Sequence, residues 1–107
     1  MNFVDLEKIT TVKESILRNV SAKYIYLFGS YAYGEPTDKS DIDIYTVIPD
    51  NIDNISEIYA KIMIDLSHKK IYFVDLIFNK ESDFNLRKNK NRFEKTIYQK
   101  GKLLYEH

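Results

Sequence analysis

The apolar run Tyr24–Phe28 stops abruptly at Gly29, which is followed by Ser30. Because the run is short, aromatic and β-branched, it predicts a largely buried strand. Gly29 has no Cβ and tolerates positive φ, so the backbone here can approach a ligand closely, and Ser30 adds a hydroxyl and an amide for anionic oxygens. The end of this strand is a candidate phosphate-binding turn.

Two acidic residues open the next strand-like segment, residues 40–48, which ends at Pro49. Side chains two apart on a strand lie about 6.6 Å apart on one face, so Asp41 and Asp43 share a face. Two uncompensated carboxylates about 4 Å apart would repel by about 4 kcal/mol at an effective dielectric of about 20. A hard cation such as Mg²⁺, which takes oxygen ligands, would relieve that repulsion.

A third acid, Asp75, is the only charged residue in the most strand-like segment of the chain, residues 71–78. A charge inside an apolar run is costly unless it has a partner, so we expect Asp75 to be buried beside an ion.

Each of these features has a structural alternative when it is taken alone. A Gly-Ser turn after a strand is ordinary turn chemistry, and a single buried acid is more often paired than a metal ligand. An EF-hand that starts at Asp41 is excluded, because Thr46 stands where the loop needs glycine and Ile52 where it needs glutamate. A sugar-transferase motif is disfavoured by the short chain. The order and spacing together favour a functional interpretation.

The combination resembles the nucleotidyltransferase superfamily typified by polymerase beta, which carries Gly-Ser, a spacer, Asp-x-Asp and a later third acid. The matching positions are Gly29-Ser30 within 28–34, Asp41 and Asp43 within 40–44, and Asp75. The short length resembles the minimal nucleotidyltransferases, many of which are antitoxins encoded beside a HEPN-domain toxin. One departure is Tyr33, where family members often carry Arg or Lys.

The resemblance implies transfer of a nucleoside monophosphate, AMP from ATP, to a hydroxyl, which in the antitoxin branch is a tyrosine of the HEPN toxin. Asp41, Asp43 and Asp75 would be the catalytic residues and would hold two Mg²⁺ ions. Nucleotide binding would fall to Gly29, Ser30 and Ser40. Whether Asp75 also acts as a general base is left open, because sequence does not show hydrogen-bond reach.

Two other functions compete with this one. The same fold could neutralise a partner by contact alone, or it could be the catalytic subunit of a small-molecule nucleotidyltransferase whose second substrate site lies on another chain. The oligomeric state, homo- or hetero-oligomeric, is left open.

The segments between the predicted strands carry apolar residues at helical spacing. Apolar spacing predicts helices over 5–20, 54–67 and 83–99, with a capping-box pattern at Thr11 and a short final strand at 103–105. The expected architecture is an α/β nucleotidyltransferase (polymerase beta-like) fold, a single small domain over residues 1–107 in which helices flank a mixed sheet. The direction of strand pairing follows from the resemblance.

The amino-acid composition restricts the cellular compartment and the classes of partner that we expect. The chain has 107 residues, no cysteine and equal numbers of acidic and basic residues, 16 of each. The absence of cysteine, together with an N-terminus that does not resemble a leader, predicts a cytoplasmic protein, and the apolar runs are too short to span a membrane. Basic residues are concentrated after residue 79, but without a recognition motif nucleic-acid binding is not favoured.

Overall fold

A computed structural model describes residues 2–107, which form one four-stranded mixed sheet with helices on both faces. In chain order the elements are α1 (Phe3–Asn19), β1 (Tyr24–Phe28), α2 (Ser30–Tyr33), β2 (Ile42–Ile48), α3 (Ile55–His68), β3 (Val74–Lys80), α4 (Glu81–Arg87), α5 (Arg92–Lys100) and β4 (Lys102–Glu106). The strand order is β3-β2-β1-β4, with β2 and β3 parallel and β1 antiparallel to both of its neighbours. The predicted mixed sheet is confirmed.

The first face of the sheet is covered by α1 and α3. Helix α1 buries Ile9, Val12 and Ile16, which recur at three- and four-residue intervals, against a core that includes Ile44 of β2. The Arg18 guanidinium lies 2.6 Å from the Asp65 carboxylate and joins the two helices on their solvent side. This face supplies the larger of the two hydrophobic cores.

The second face carries a smaller, mainly aromatic core beneath α4 and α5. Phe84 of α4 and Ile97 of α5 are buried against Tyr26 and Tyr45. The Phe84 ring centroid lies 5.8 Å from that of Tyr26 and 5.6 Å from that of Tyr45. On this face Asp43, near the start of β2, is partly exposed and Asp75, near the start of β3, is exposed.

Helix α3 lies within one residue of its predicted limits, 54–67, whereas the other two predicted helices differ more. Helix α1 begins at Phe3, and its N-cap is Asn2, whose side chain accepts the Asp5 amide at 2.9 Å; Thr11 lies within the helix and donates to the Glu7 carbonyl, so the predicted capping box is wrong. The predicted helix 83–99 is two helices. Asn91 starts the second by accepting the Phe93 amide at 3.0 Å.

Strand boundaries were predicted more closely. β1 has the predicted limits, whereas β2 begins two residues later than predicted and β3 begins at residue 74 instead of 71. Within residues 2–107 there is no helix of the length and apolarity that crossing a membrane requires.

Candidate active site

The directions of the strands bring the predicted site residues together at one end of the sheet, where β2 and β3 begin and β1 ends. β2 and β3 are parallel, so their first residues lie side by side, and antiparallel β1 ends at the same edge. The turn at Gly29 therefore lies beside the start of β2, which carries Asp43, and the start of β3, which carries Asp75, lies on the other side of β2.

Register places the acidic side chains on a common face. The Cα of Asp43 pairs with that of Asp75 across β2 and β3, and Phe28 pairs with Asp43 across β1 and β2. Neighbours in register point to the same face, here the face partly covered by α4 and α5. Asp41 immediately precedes β2 and is exposed, and it is close enough to raise the pKa of Asp43.

Gly29 lies directly against the Asp43 carboxylate. Its φ of 72° and ψ of −155° fall in a region that is essentially restricted to glycine. A Cβ at this position would clash with Oδ2 of Asp43 and would lie 3.0 Å from its Cγ and 3.3 Å from its Cβ. The glycine thus keeps both the turn conformation and the space that this carboxylate occupies.

The electrostatics of the cluster favour a cation. Burial raises the pKa of the Asp43 carboxyl, and the negative charges of Asp75 and then Asp41 raise it further. Asp43 is therefore repelled by both of its acidic neighbours when it is ionised. A divalent ion would remove the repulsion, and an all-carboxylate donor set suits Mg²⁺.

The side chains do not converge on one point. Among residues 2–107, no three acidic, histidine or cysteine side chains are grouped closely enough to hold an ion together. The donor chemistry and the shared face fit a metal, whereas closure around it would need the exposed side chains of Asp41 and Asp75 to turn inward. Both side chains are exposed to solvent.

Asp75 differs from its predicted environment. We expected it to be buried within an apolar strand, and that expectation is wrong, because Asp75 is exposed at the start of an edge strand. The preceding aromatic residues, Tyr72 and Phe73, are 61% and 70% exposed, so the apolar run does not mark a buried element.

The serines predicted to bind nucleotide occupy different places. Ser30 is the first residue of α2, whose amides at Ala32 and Tyr33 both donate to the Gly29 carbonyl, at 3.0 and 3.1 Å. Ser40 lies in the turn before β2, where its hydroxyl accepts the Thr37 amide at 2.9 Å. Ser30 is therefore part of the Gly29 turn, whereas the Ser40 hydroxyl already has a partner in its own loop.

Sequence reasoning missed a buried polar network farther along the same face. The Tyr45 hydroxyl lies 3.4 Å from Oε2 of Glu94 and accepts the Asn79 side-chain amide at 3.1 Å. Burial raises the pKa of Tyr45 to about 12, so its hydroxyl keeps its proton and donates to Glu94. Within residues 2–107, the buried Oε1 of Glu94 has no hydrogen-bond partner. The available signal was the position of Glu94 three residues before Ile97, on the buried stripe of α5.

Comparison with known proteins identifies relatives of the same fold. The family described as polymerase beta, nucleotidyltransferase, matches residues 7–107. A Methanocaldococcus jannaschii protein with the provisional name protein adenylyltransferase is 34% identical over 83 residues, which are 78% of this chain and 78% of that protein.

Two solved structures extend the comparison. A toxin-antitoxin crystal structure with AMP-PNP superposes with a TM-score of 0.65 at 27% identity, and the match covers 92% of this chain and 73% of that one. A complex of tri-AMPylated Shewanella oneidensis HEPN toxin with MNT antitoxin gives a TM-score of 0.53 at 25% identity, over 94% of this chain and 73% of that one. The predicted resemblance is confirmed: this chain belongs to the polymerase beta family of nucleotidyltransferases.

Proposed function

We propose that this nucleotidyltransferase moves AMP from ATP to a hydroxyl, a tyrosine of a HEPN-domain partner, and thereby acts as an antitoxin. The observation that carries the proposal is the packing of the Gly29 turn against Asp43, with Asp75 in register beside it. The relatives support the substrates, since one of them binds AMP-PNP and another accompanies an AMPylated HEPN toxin. The cytoplasmic location remains a prediction from composition.

The chemistry is an in-line displacement at the α-phosphorus of ATP. The acceptor oxygen forms a bond to that phosphorus, the bond to the bridging oxygen of the β-phosphate breaks, and pyrophosphate leaves. The acceptor proton passes to solvent or to Asp75, which is exposed at the β3 edge. Two Mg²⁺ ions, when bound, would stabilise the charge on the attacking and leaving oxygens.

The position of each predicted site residue indicates its role, either metal binding or phosphate binding. Asp41 and Asp43 would hold the ions, and Asp75 would complete the set from the neighbouring strand. Gly29 and Ser30 offer backbone amides and a hydroxyl to the phosphates at the end of β1. Ser40 contributes to the loop that leads into Asp41.

A transfer assay tests the proposal. The chain is incubated with α-labelled ATP, Mg²⁺ and the HEPN-domain protein of the same genome, and the label on the partner is located by mass spectrometry. We expect label on a tyrosine, at least about 100-fold less label with Asp43→Asn, and none after chelation of the metal. Asp53→Asn, which removes an exposed carboxylate outside the site, should label at the wild-type rate. A wild type that labels nothing, or an Asp43→Asn variant that labels normally, contradicts the proposal.

Neutralisation of the partner separates catalysis from contact. If transfer is the mechanism, a variant with both Asp41→Asn and Asp43→Asn should still bind the partner in a pull-down but should fail to rescue growth when the two are co-expressed. Rescue by this double variant would instead support an antitoxin that works by contact alone.

A further inference from the structure

The most exposed aromatic side chain near the site is that of Phe73, which is 70% exposed. It directly precedes β3, two residues before Asp75. The Ile42 amide donates to the Phe73 carbonyl at 2.9 Å and so extends the β2–β3 ladder by one step beyond Val74. Phe73 therefore lies beside Asp41 at the rim of the acidic cluster.

Alternation along the extended chain assigns Phe73 to a face. Residues two apart point the same way, so Phe73 shares the face of Asp75, whereas Tyr72 points with Val74 toward the α1 side. There Tyr72 lines a groove with Lys8 and Tyr31, and Phe73, whose backbone runs between the two faces, contributes to the same lining. The chain thus presents two adjacent exposed aromatics to opposite faces of the sheet.

The segment that carries these aromatics is held firmly. The Lys70 amide donates to the Ser67 carbonyl at 3.0 Å, and the Ile71 amide donates to the Leu66 carbonyl at 2.9 Å. With the Phe73 carbonyl bonded to Ile42, the chain is fixed on both sides of Tyr72. These bonds fix the backbone from which the Phe73 ring projects, so a partner that covers the ring has to order the side chain alone.

Strand order indicates what could cover Phe73. The Gly29 turn, which would hold the phosphates, lies at the end of β1, and the acidic residues follow across β2 and β3 in the order β1-β2-β3. An in-line displacement places the nucleophile opposite the leaving pyrophosphate. If pyrophosphate leaves on the β1 side, the acceptor hydroxyl approaches from the β3 side, where Phe73 lies.

We propose that Phe73 binds the acceptor protein and selects a hydroxyl that is carried on an apolar, aromatic-rich segment. The inference rests on the proposed function and adds to it the residue that recognises the acceptor. Contact with an apolar segment would remove the exposed ring from water, which is the kind of aromatic contact that dominates binding at interfaces.

Steady-state kinetics with two substrates test the inference. Phe73→Ala and Tyr72→Ala are compared with wild type in the transfer assay, with the HEPN-domain protein of the same genome as acceptor. We expect Phe73→Ala to raise the KM for the acceptor by about 10-fold or more and to leave the KM for ATP within about twofold. Tyr72→Ala, which removes a similarly exposed ring from the other face, should change neither. Circular dichroism and urea unfolding check that both variants fold.

Three results would overturn the inference. A rise in the KM for ATP with an unchanged KM for the acceptor would mean that Phe73 stacks on the nucleobase. Equal effects of the two variants would contradict the assignment of Phe73 and Tyr72 to opposite faces. An unchanged KM for the acceptor in Phe73→Ala would show that Phe73 does not contact the acceptor.

Failure of the proposed function is distinguishable from these results. If the wild type transfers nothing, the proposed function falls, and calorimetric titration of the acceptor into wild type and Phe73→Ala still measures the contact. Binding about 10-fold weaker for Phe73→Ala alone supports recognition by Phe73, and equal binding refutes it.

Discussion

Replacing Gly29 with alanine should damage both the fold and the site, through two separable effects. The first is backbone strain, because the φ and ψ of Gly29 lie in a region that costs other residues about 1–3 kcal/mol. The second is the clash of the new Cβ with the Asp43 carboxylate, which must leave its preferred rotamer at a cost of about 0.5–1.5 kcal/mol. We expect the free energy of unfolding to fall by about 1.5–4.5 kcal/mol, the sum of the two effects.

A double-mutant cycle with Asp43→Ala separates the two effects. Removal of the Asp43 carboxylate eliminates the clash with Oδ2 and Cγ, and leaves the backbone strain and the 3.3 Å approach to the Cβ of residue 43, so Gly29→Ala should cost about 1–3 kcal/mol in that background. The difference between the two backgrounds, about 0.5–1.5 kcal/mol, is the energy of the contact. AMP transfer should be lost in the single Gly29→Ala variant, because the displaced carboxylate no longer occupies its place beside the turn.

Urea unfolding measures each corner of the cycle. The chain has nine tyrosines and no tryptophan, so tyrosine fluorescence and far-UV circular dichroism are suitable probes, and the m-value should stay constant across the four proteins. An equal cost in both backgrounds would refute the contact between Gly29 and Asp43. A cost below about 0.5 kcal/mol in both would refute the strained conformation of the turn.

Three further perturbations follow from the structure. Asp43→Asn should raise the free energy of unfolding by about 0.5–1 kcal/mol at neutral pH, because it removes a partly exposed charge that its neighbours repel. Since the folded-state pKa of Asp43 is raised, the wild-type penalty exists above that pKa and fades as the pH falls toward the unfolded value of 3.8, so urea titrations of the two proteins should converge in acid. Glu94→Gln should stabilise the fold by about 1 kcal/mol in thermal unfolding, because an amide is less costly to bury than a carboxylate whose Oε1 has no partner among residues 2–107, and the amide oxygen can still accept the Tyr45 hydroxyl. The exposed control Glu35→Gln should not change stability. Asn91→Ala should cost about 1 kcal/mol in urea unfolding through loss of the α5 cap.

The central part of the fold was predictable because β1 and β2 are buried on both faces. Four of the five residues of β1 and six of the seven residues of β2 are buried, so apolar composition and strand position coincide there. The positions of two residues of the candidate site were predictable for a related reason. Asp43 interrupts that buried pattern on the same strand, and the Gly29 turn marks where the neighbouring strand ends.

The exposure of β3, the outermost strand next to β2, was not predictable in the same way. The composition of residues 71–78 suggested burial, but burial depends on strand order, which periodicity along a single segment does not specify. β3 is an edge strand, so Asp75 and Phe73 meet solvent. The prediction that Asp75 belongs to the site therefore rests on the motif alone, because the expected burial in an apolar run is wrong.

The division of the last predicted helix has a geometric cause. At about 100° per residue, a continuous helix would turn Phe84 and Ile97 about 220° apart, on opposite sides of its axis. Both side chains are buried against the same face of the sheet. The break at residues 88–91 lets α4 and α5 each bury its own apolar side, a requirement that becomes visible only when the sheet is in place.

The two strands that carry the acidic residues differ in how they are held. β2 is hydrogen-bonded on both sides, whereas β3 is bonded to β2 alone within the sheet of residues 2–107. Local opening should therefore detach Asp75 from Asp43 by fraying of β3, long before global unfolding exposes the central strand. Amide hydrogen exchange would then be faster in β3 than in β2, and a ligand that bridges the two strands would slow exchange most at the outer one. Local unfolding of β3 and dissociation of a ligand that bridges β2 and β3 should therefore occur together.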